Sequence, residues 1–187
     1  VVRRGEAHLR AAEAAKQPVI LLAPHFVTID HGGIEISRDH AMVTMYKRPK
    51  NRLMDVVIRR SRARFGLTII ARDEGIKPVL REMKRGAGFY YLPDQDQGAR
   101  GAVFAPFFGV PAATLTAPSR IAEMTGAVMV PCVTRQLSWG RGFEVTFGAT
   151  SLQSTKIDDL CAAVTPADVA FDKGDVYKTG WITQAVD

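Results

Sequence analysis

Pro18-Val-Ile-Leu-Leu-Ala-Pro-His-Phe-Val-Thr-Ile-Asp30 is a short apolar run that stops at a proline, with a histidine next and an aspartate five positions after that. Val19 to Ala23 has the length and composition of a buried strand, which puts His25 where the chain leaves a sheet. Proteins that alternate strands and helices hold their chemistry at such strand ends. If Thr28 caps a following helix, Asp30 falls in its first turn, where the positive end of the helix dipole favours a carboxylate. On one continuous helix a spacing of five would turn the two side chains about 140° apart, an obstacle that a strand-to-helix corner removes. Such a pair suits general-base chemistry, the imidazole taking a proton from a hydroxyl while the carboxylate fixes its tautomer. A structural histidine closing a strand is the competing role.

Spacing alone does not decide between them. Four histidines and 19 acidic residues in 187 positions produce about 0.4 chance matches to His-x4-acid, and His8 with Glu13 is a second match. That second pair lies in an alanine-rich stretch with no strand before it, which reads as an exposed or half-exposed helix carrying surface charge.

At 187 residues and 47% hydrophobic, the chain is long enough for one domain that buries roughly 70% of its unfolded surface. Two cysteines, Cys132 and Cys161, argue against a disulfide framework and fit a reducing compartment. Cys132 reads as a buried thiol in a strand rather than a nucleophile. No run approaches the roughly 18 apolar residues of a membrane span, and no secretory signal is visible. The net charge of +6 is uneven: residues 1–150 carry 22 basic and 13 acidic side chains, residues 151–187 carry 3 and 6. The excess is densest from Lys47 to Arg64, where eight cations face one acid, Asp55. That density implies an anionic partner such as phosphorylated lipid, acidic protein or nucleic acid.

Along the chain, Thr28 to Ser37 reads as a short helix loosened by Gly32 and Gly33, and Ala41 to Tyr46 as a second strand. A turn at Lys47-Arg-Pro-Lys-Asn51 leads to a helix from Arg52, with a broad apolar face of Leu53, Met54, Val56, Val57 and Ile58. It ends on Arg59, Arg60, Arg62 and Arg64 before Gly66. Thr68 to Ala71 is a third strand; a helix begins near Gly75 and runs to Gly86; Gly88 to Leu92 is a fourth strand, ending at Pro93-Asp94-Gln95-Asp96-Gln97-Gly98. The acids of that last loop lack the bidentate glutamate of a calcium site, so a solvated turn is expected and no metal. The alternation predicts an α/β fold, a single domain with a mainly parallel sheet flanked by helices and the strand ends at His25 and Pro93 on one edge. Val103 to Val110 sets three phenylalanines beside Pro and Gly, an irregular apolar stretch that cannot be a regular central strand and suits contact with hydrocarbon or a membrane surface. Ala113 to Thr125 reads as a helix, and Ala127 to Val133 and Phe143 to Phe147 as strands. From Ser151 the pattern weakens and acids dominate. The expected division is a catalytic domain over 1–150 and a divergent acidic segment over 151–187.

The ordered set of motifs resembles the late acyltransferases of lipid A biosynthesis, the lauroyl- and myristoyl-transferase group within the glycerolipid acyltransferase superfamily. The matching pieces are Pro24-His-Phe-Val-Thr-Ile-Asp30, Tyr46-Lys-Arg-Pro-Lys-Asn51, Arg59-Arg-Ser-Arg-Ala-Arg-Phe-Gly66, Tyr91-Leu-Pro-Asp-Gln-Asp-Gln-Gly98, Val103 to Thr116 and Val130-Pro131. Together they run from residue 24 to residue 131 in the family's order. The resemblance implies a glycerolipid-acyltransferase-like fold and transfer of a fatty acyl chain from acyl carrier protein to a hydroxyl of a phosphorylated glycolipid, a lipid A precursor. The setting it implies is the membrane surface at the cytoplasmic face of the bacterial inner membrane. It makes His25 the general base and Asp30 its partner, has Arg62 and Arg64 hold phosphate or sugar groups, and gives Asp94 and Asp96 a part in binding the acceptor. The family's usual anchor helix and its Pro-Glu-Gln-Tyr segment are not among residues 1–187, so any anchor is expected upstream.

The chemistry of the residues agrees. A thioester is already activated, so attack by a deprotonated hydroxyl needs no cofactor, metal or covalent enzyme intermediate, and a base with an ordinary pKa of about 6.5 contributes perhaps 10² to 10⁴ in rate. Helix-start amides near Thr28 or an arginine are the candidates to face the oxyanion. A lysophospholipid acceptor and an inactive lipid-binding relative are alternatives. A nucleic-acid module on the arginine helix lacks the interleaved aromatics one would need, so no nucleic-acid partner is expected.

Overall fold

In the computed structural model, which describes residues 1–94, 102–107 and 110–149, the chain alternates strand and helix from its first residues. The order is β1 (Val2–Arg4), α1 (Glu6–Ala14), β2 (Val19–Leu22), α2 (Ile29–Ile36), β3 (Met42–Tyr46), α3 (Arg52–Ala63), β4 (Thr68–Ala71), α4 (Lys77–Lys84) and β5 (Gly88–Tyr91). It continues with β6 (Ala102–Phe107), β7 (Val110–Leu115), α5 (Ala117–Thr125), β8 (Val128–Gln136) and β9 (Phe143–Phe147). Seven strands form one sheet in the order β1-β9-β8-β2-β5-β3-β4. The five from β8 to β4 run parallel, β9 turns back antiparallel to β8, and β1 pairs parallel with β9. The expected α/β domain with a mainly parallel sheet is therefore what the chain forms.

The alternation of β2 shows how the sheet divides the core. Val19, Leu21 and Ala23 point to the face covered by α1 and α2, where they meet Leu9, Ala12 and Ile36. Ile20 and Leu22 point to the other face, against Val79 and Met83 of α4 and Ile121 of α5. Buried on both faces, β2 reads as a continuous apolar run, as a parallel central strand must.

Three expectations change. Gly32 and Gly33 do not loosen α2: a Cβ on Gly32 would run into Thr134 Oγ1 of β8, so this glycine lets the helix lie close on the sheet, while one on Gly33 would make an ordinary contact with the Tyr90 ring at 3.4 Å. The described residues of the 103–110 stretch, 103–107 and 110, are not irregular. β6 and β7 form their own antiparallel ribbon apart from the main sheet, with Pro106 opposite Pro111, and a two-stranded ribbon tolerates prolines because every strand in it is an edge. Its second strand takes residues 113 to 115 from the expected helix, so α5 starts at Ala117 with Pro118 in its first turn. Strand β1 had no signal in three residues and exists because β9 offers it an edge. Asp96 and the acidic segment over 151–187 lie outside the described residues. Among the described residues no helix is long and apolar enough to cross a membrane.

Candidate active site

The site is built where β2 and β5, neighbours in the sheet, come to their carboxyl ends. Leu22 is in register with Tyr91, and the Ala23 N–H donates to Tyr91 O at 2.8 Å, carrying the pairing one residue further. The chain then folds sharply: the Phe26 N–H reaches Pro24 O at 2.7 Å, a three-residue turn with His25 at its corner. From β5 the chain passes Leu92 and Pro93 and brings Asp94 to the same place.

Asp94 grips His25 twice. One carboxylate oxygen accepts the His25 backbone N–H at 2.6 Å, and the other lies 2.6 Å from Nδ1 of the ring. A carboxylate has no proton to offer, so Nδ1 must carry the hydrogen, and Nε2 is the basic nitrogen of the neutral ring. The Asp94 side chain is 7% exposed and that of His25 35%, so the carboxylate is held inside while the ring reaches outward.

Asp30 is in the first turn of α2, as the spacing suggested, with Thr28 at the N-cap position. Thr28 does not cap through its side chain; its hydroxyl donates instead to Thr134 O at 2.9 Å and ties the helix start to β8. The expected pairing of His25 with Asp30 is corrected here. The carboxylate on Nδ1 belongs to Asp94, and Asp30 accepts both of its bonds, at 2.8 and 3.1 Å, from one nitrogen of Arg62 in α3. A first-turn position points Asp30 across to the neighbouring helix, where a cation is available. The sequence had placed the ends of β2 and β5 on one edge, which is the signal for Asp94, but nearness along the chain favoured Asp30.

Helix α3 is capped by Asn51, whose side chain accepts from the N–H groups of Leu53 and Met54. Its inward stripe is Asp55, bonded by the Tyr46 hydroxyl at 2.6 Å, then Ile58, then Arg62. Arg64 is not brought to the same place as Arg62. It lies 5.3 Å over the ring of Phe65, which Arg38, just beyond α2, also approaches, at 5.6 Å. Cys132 is buried in β8 with its thiol pushed up to about 12 by burial alone, which leaves it no nucleophilic role. Burial likewise raises the Tyr91 phenol beside the site, so it stays protonated. Among the described residues no three His, Cys, Asp or Glu side chains converge to hold a metal ion.

Known proteins resemble this chain over most of its length. A lipid A biosynthesis acyltransferase of Haemophilus influenzae is 39% identical over 132 residues, 70% of this chain and 42% of the relative. The lipid A biosynthesis lauroyltransferase of Escherichia coli is 32% identical over 142 residues, 75% of this chain and 46% of the relative. The myristoyltransferase of the same bacterium is 36% identical over 116 residues, 62% and 36% of the two chains. The chain thus spans less than half the length of these curated relatives. The profile of one family covers residues 3–167, and the chain belongs to that family, the bacterial lipid A biosynthesis acyltransferases.

Proposed function

We propose that the chain carries the catalytic centre of an O-acyltransferase that moves a fatty acyl group from acyl carrier protein to a hydroxyl of a lipid A precursor. The setting is the cytoplasmic face of the bacterial inner membrane. The observation that carries the reading is the double contact of Asp94 with His25 at the carboxyl edge of the sheet.

In this reading His25 Nε2 takes the proton of the acceptor hydroxyl as its oxygen attacks the thioester carbonyl. Asp94 keeps the proton on Nδ1, holds the ring, and stabilises the imidazolium that forms. The tetrahedral intermediate collapses with loss of thiolate, which regains the proton from the imidazolium, so no proton is left over. Arg62, joined to Asp30 at the start of α2, offers a fixed guanidinium to phosphate. Arg64 and Asp96 are secondary contacts in the same proposal. Direct attack on a thioester requires no cofactor.

The test is turnover of acyl-carrier-protein thioester with a phosphorylated glucosamine lipid, in wild type and in His25→Ala and Asp94→Asn. Transfer that collapses in both variants supports the assignment. Equal turnover by His25→Ala sinks it, preference for a lysophospholipid acceptor changes the substrate, and no turnover by any form makes the chain a lipid-binding relative.

A further inference from the structure

Most of the large apolar side chains exposed on the described surface cluster by position in the fold. Val27, 81% exposed, lies two residues after His25 on the segment leaving β2. Leu53, 70% exposed, with Met54, Val56 and Val57, occupies the first turns of α3, which enter from the carboxyl end of β3. Trp139, 95% exposed and held at φ 60°, stands at the tip of the hairpin from β8 to β9. Strands β2, β3 and β8 run parallel, so all six residues project from the one edge that carries His25 and Asp94.

The sequence marks a broad apolar face on α3. The structure turns most of it outward. Asp55, Ile58 and Arg62 face the body, no residue of the helix is buried, and the aliphatic side chains are left in solvent. Desolvating such residues is favourable only if another apolar phase receives them. Cations surround them. Lys47, Lys50 and Arg52 are exposed at the turn into α3, Arg59 and Arg60 on the helix itself, and Arg141 on the hairpin of Trp139. Aliphatic side chains and an indole ringed by lysine and arginine match, in polarity and charge, the boundary between headgroup and acyl chain of an anionic bilayer.

We infer that this edge is a docking surface for an anionic phospholipid bilayer, with Trp139, Val27 and the first turns of α3 entering the interface and the flanking cations lying on the headgroups. The inference rests on the lipid-acceptor reading above in one respect: it names the surface from which that acceptor reaches His25. A docked edge lets an acyl-chained substrate move to the base without leaving the membrane.

The experiment is sedimentation with vesicles of phosphatidylglycerol and phosphatidylcholine, against vesicles of phosphatidylcholine alone, for wild type, Trp139→Ala, Leu53→Asn/Val57→Asn and His25→Ala. All altered apolar positions are exposed, so folding is preserved and circular dichroism checks it. Wild type and His25→Ala bind the anionic vesicles equally, and the apolar variants bind about tenfold more weakly or worse. In a Trp181→Phe background, lipids brominated near the headgroup quench the Trp139 emission. The inference is overturned by wild-type protein that ignores anionic vesicles, by variants that bind as wild type does, or by an edge that instead holds a second copy or an acidic protein. Failure of acyl transfer with vesicle binding intact removes the catalytic reading alone. Full transfer by the apolar variants on detergent-dispersed acceptor, with vesicle binding lost, leaves both in place.

Discussion

Two histidines of this chain sit against carboxylates at nearly the same distance, and they do opposite things. His25, at the carboxyl edge, has one ring nitrogen 2.6 Å from Asp94 and a ring about one-third exposed. His40, just before β3 on the opposite edge, has both nitrogens engaged: Nδ1 at 2.8 and 2.9 Å from the two oxygens of Glu13, and Nε2 at 2.9 Å from Glu6. Both ring nitrogens of His40 are thus held by carboxylates, and the ring is 1% exposed. It closes the first and last turns of α1 onto the sheet. What separates a base from a clamp is therefore the ring's access to solvent, about one-third exposed against 1%, since a histidine-acid contact is common to both.

The largest effect should fall on His25→Ala, which lowers kcat by about 10² to 10⁴ and leaves the melting temperature in place. Asp94→Asn comes next: an amide cannot hold a proton on Nδ1 with the same charge, and about 10² or more in kcat should go, with little change in KM. His40→Ala inverts the pattern. It should cost about 2 to 4 kcal/mol of stability, less than for a fully buried pair because Glu6 and Glu13 keep part of their hydration, while kcat per folded molecule is unchanged. A His40 variant that folds normally and loses turnover would break the comparison.

Acid should weaken the fold through two carboxylates, one of them in the clamp. The Glu6 carboxyl is held below its ordinary 4.5 chiefly by the hydrogen bond from His40, and that of Glu144 below the same value by the hydrogen bonds from Arg4 and Arg135. For a carboxyl whose folded pKa is depressed, the contribution to stability is complete above the unfolded value and is lost as pH falls through the folded one. Urea midpoints should hold from pH 7 to about 5 and then decline, more steeply in wild type than in Glu6→Gln or Glu144→Gln. A wild-type midpoint that stays flat to pH 3 would remove both groups from the account.

The same pair of histidines marks what the sequence could tell. The sheet was legible because β2, β3, β4 and β5 each carry a local apolar run bounded by turn residues, and their parallel order follows from the helices between them. His25 was legible because a strand-ending proline precedes it. The partners were not, since each is distant in the chain: Asp94 lies 69 positions from His25, and Glu6 and Glu13 lie 34 and 27 from His40. Glu13 had matched His8 in spacing and passed for surface charge. The orientation of helix α3 was not legible for a related reason. Its hydrophobic pattern is real, but pattern alone does not say whether the apolar stripe faces a core, and here Tyr46 and Asp30 hold the polar stripe inward.

Asp30 offers the smallest effect and the sharpest distinction. If Asp94 is the carboxylate that serves His25, Asp30 acts only through Arg62, whose guanidinium it fixes at the start of α2. Asp30→Asn keeps a hydrogen-bond acceptor there and loses the charge, so Arg62 should loosen without leaving. Acceptor binding then weakens by about tenfold, seen as a rise in KM with kcat within a few-fold of wild type. Arg62→Lys should behave alike, since the shorter lysine ammonium falls short of the place where one guanidinium nitrogen bridges both carboxylate oxygens, and combining the two changes should add little. A fall in kcat as deep as that of His25→Ala would mean that Asp30 reaches the imidazole during turnover and that Arg62 releases it. The two carboxylates would then share the base in sequence, and the contrast with the permanently clamped His40 would become one of motion as well as of exposure.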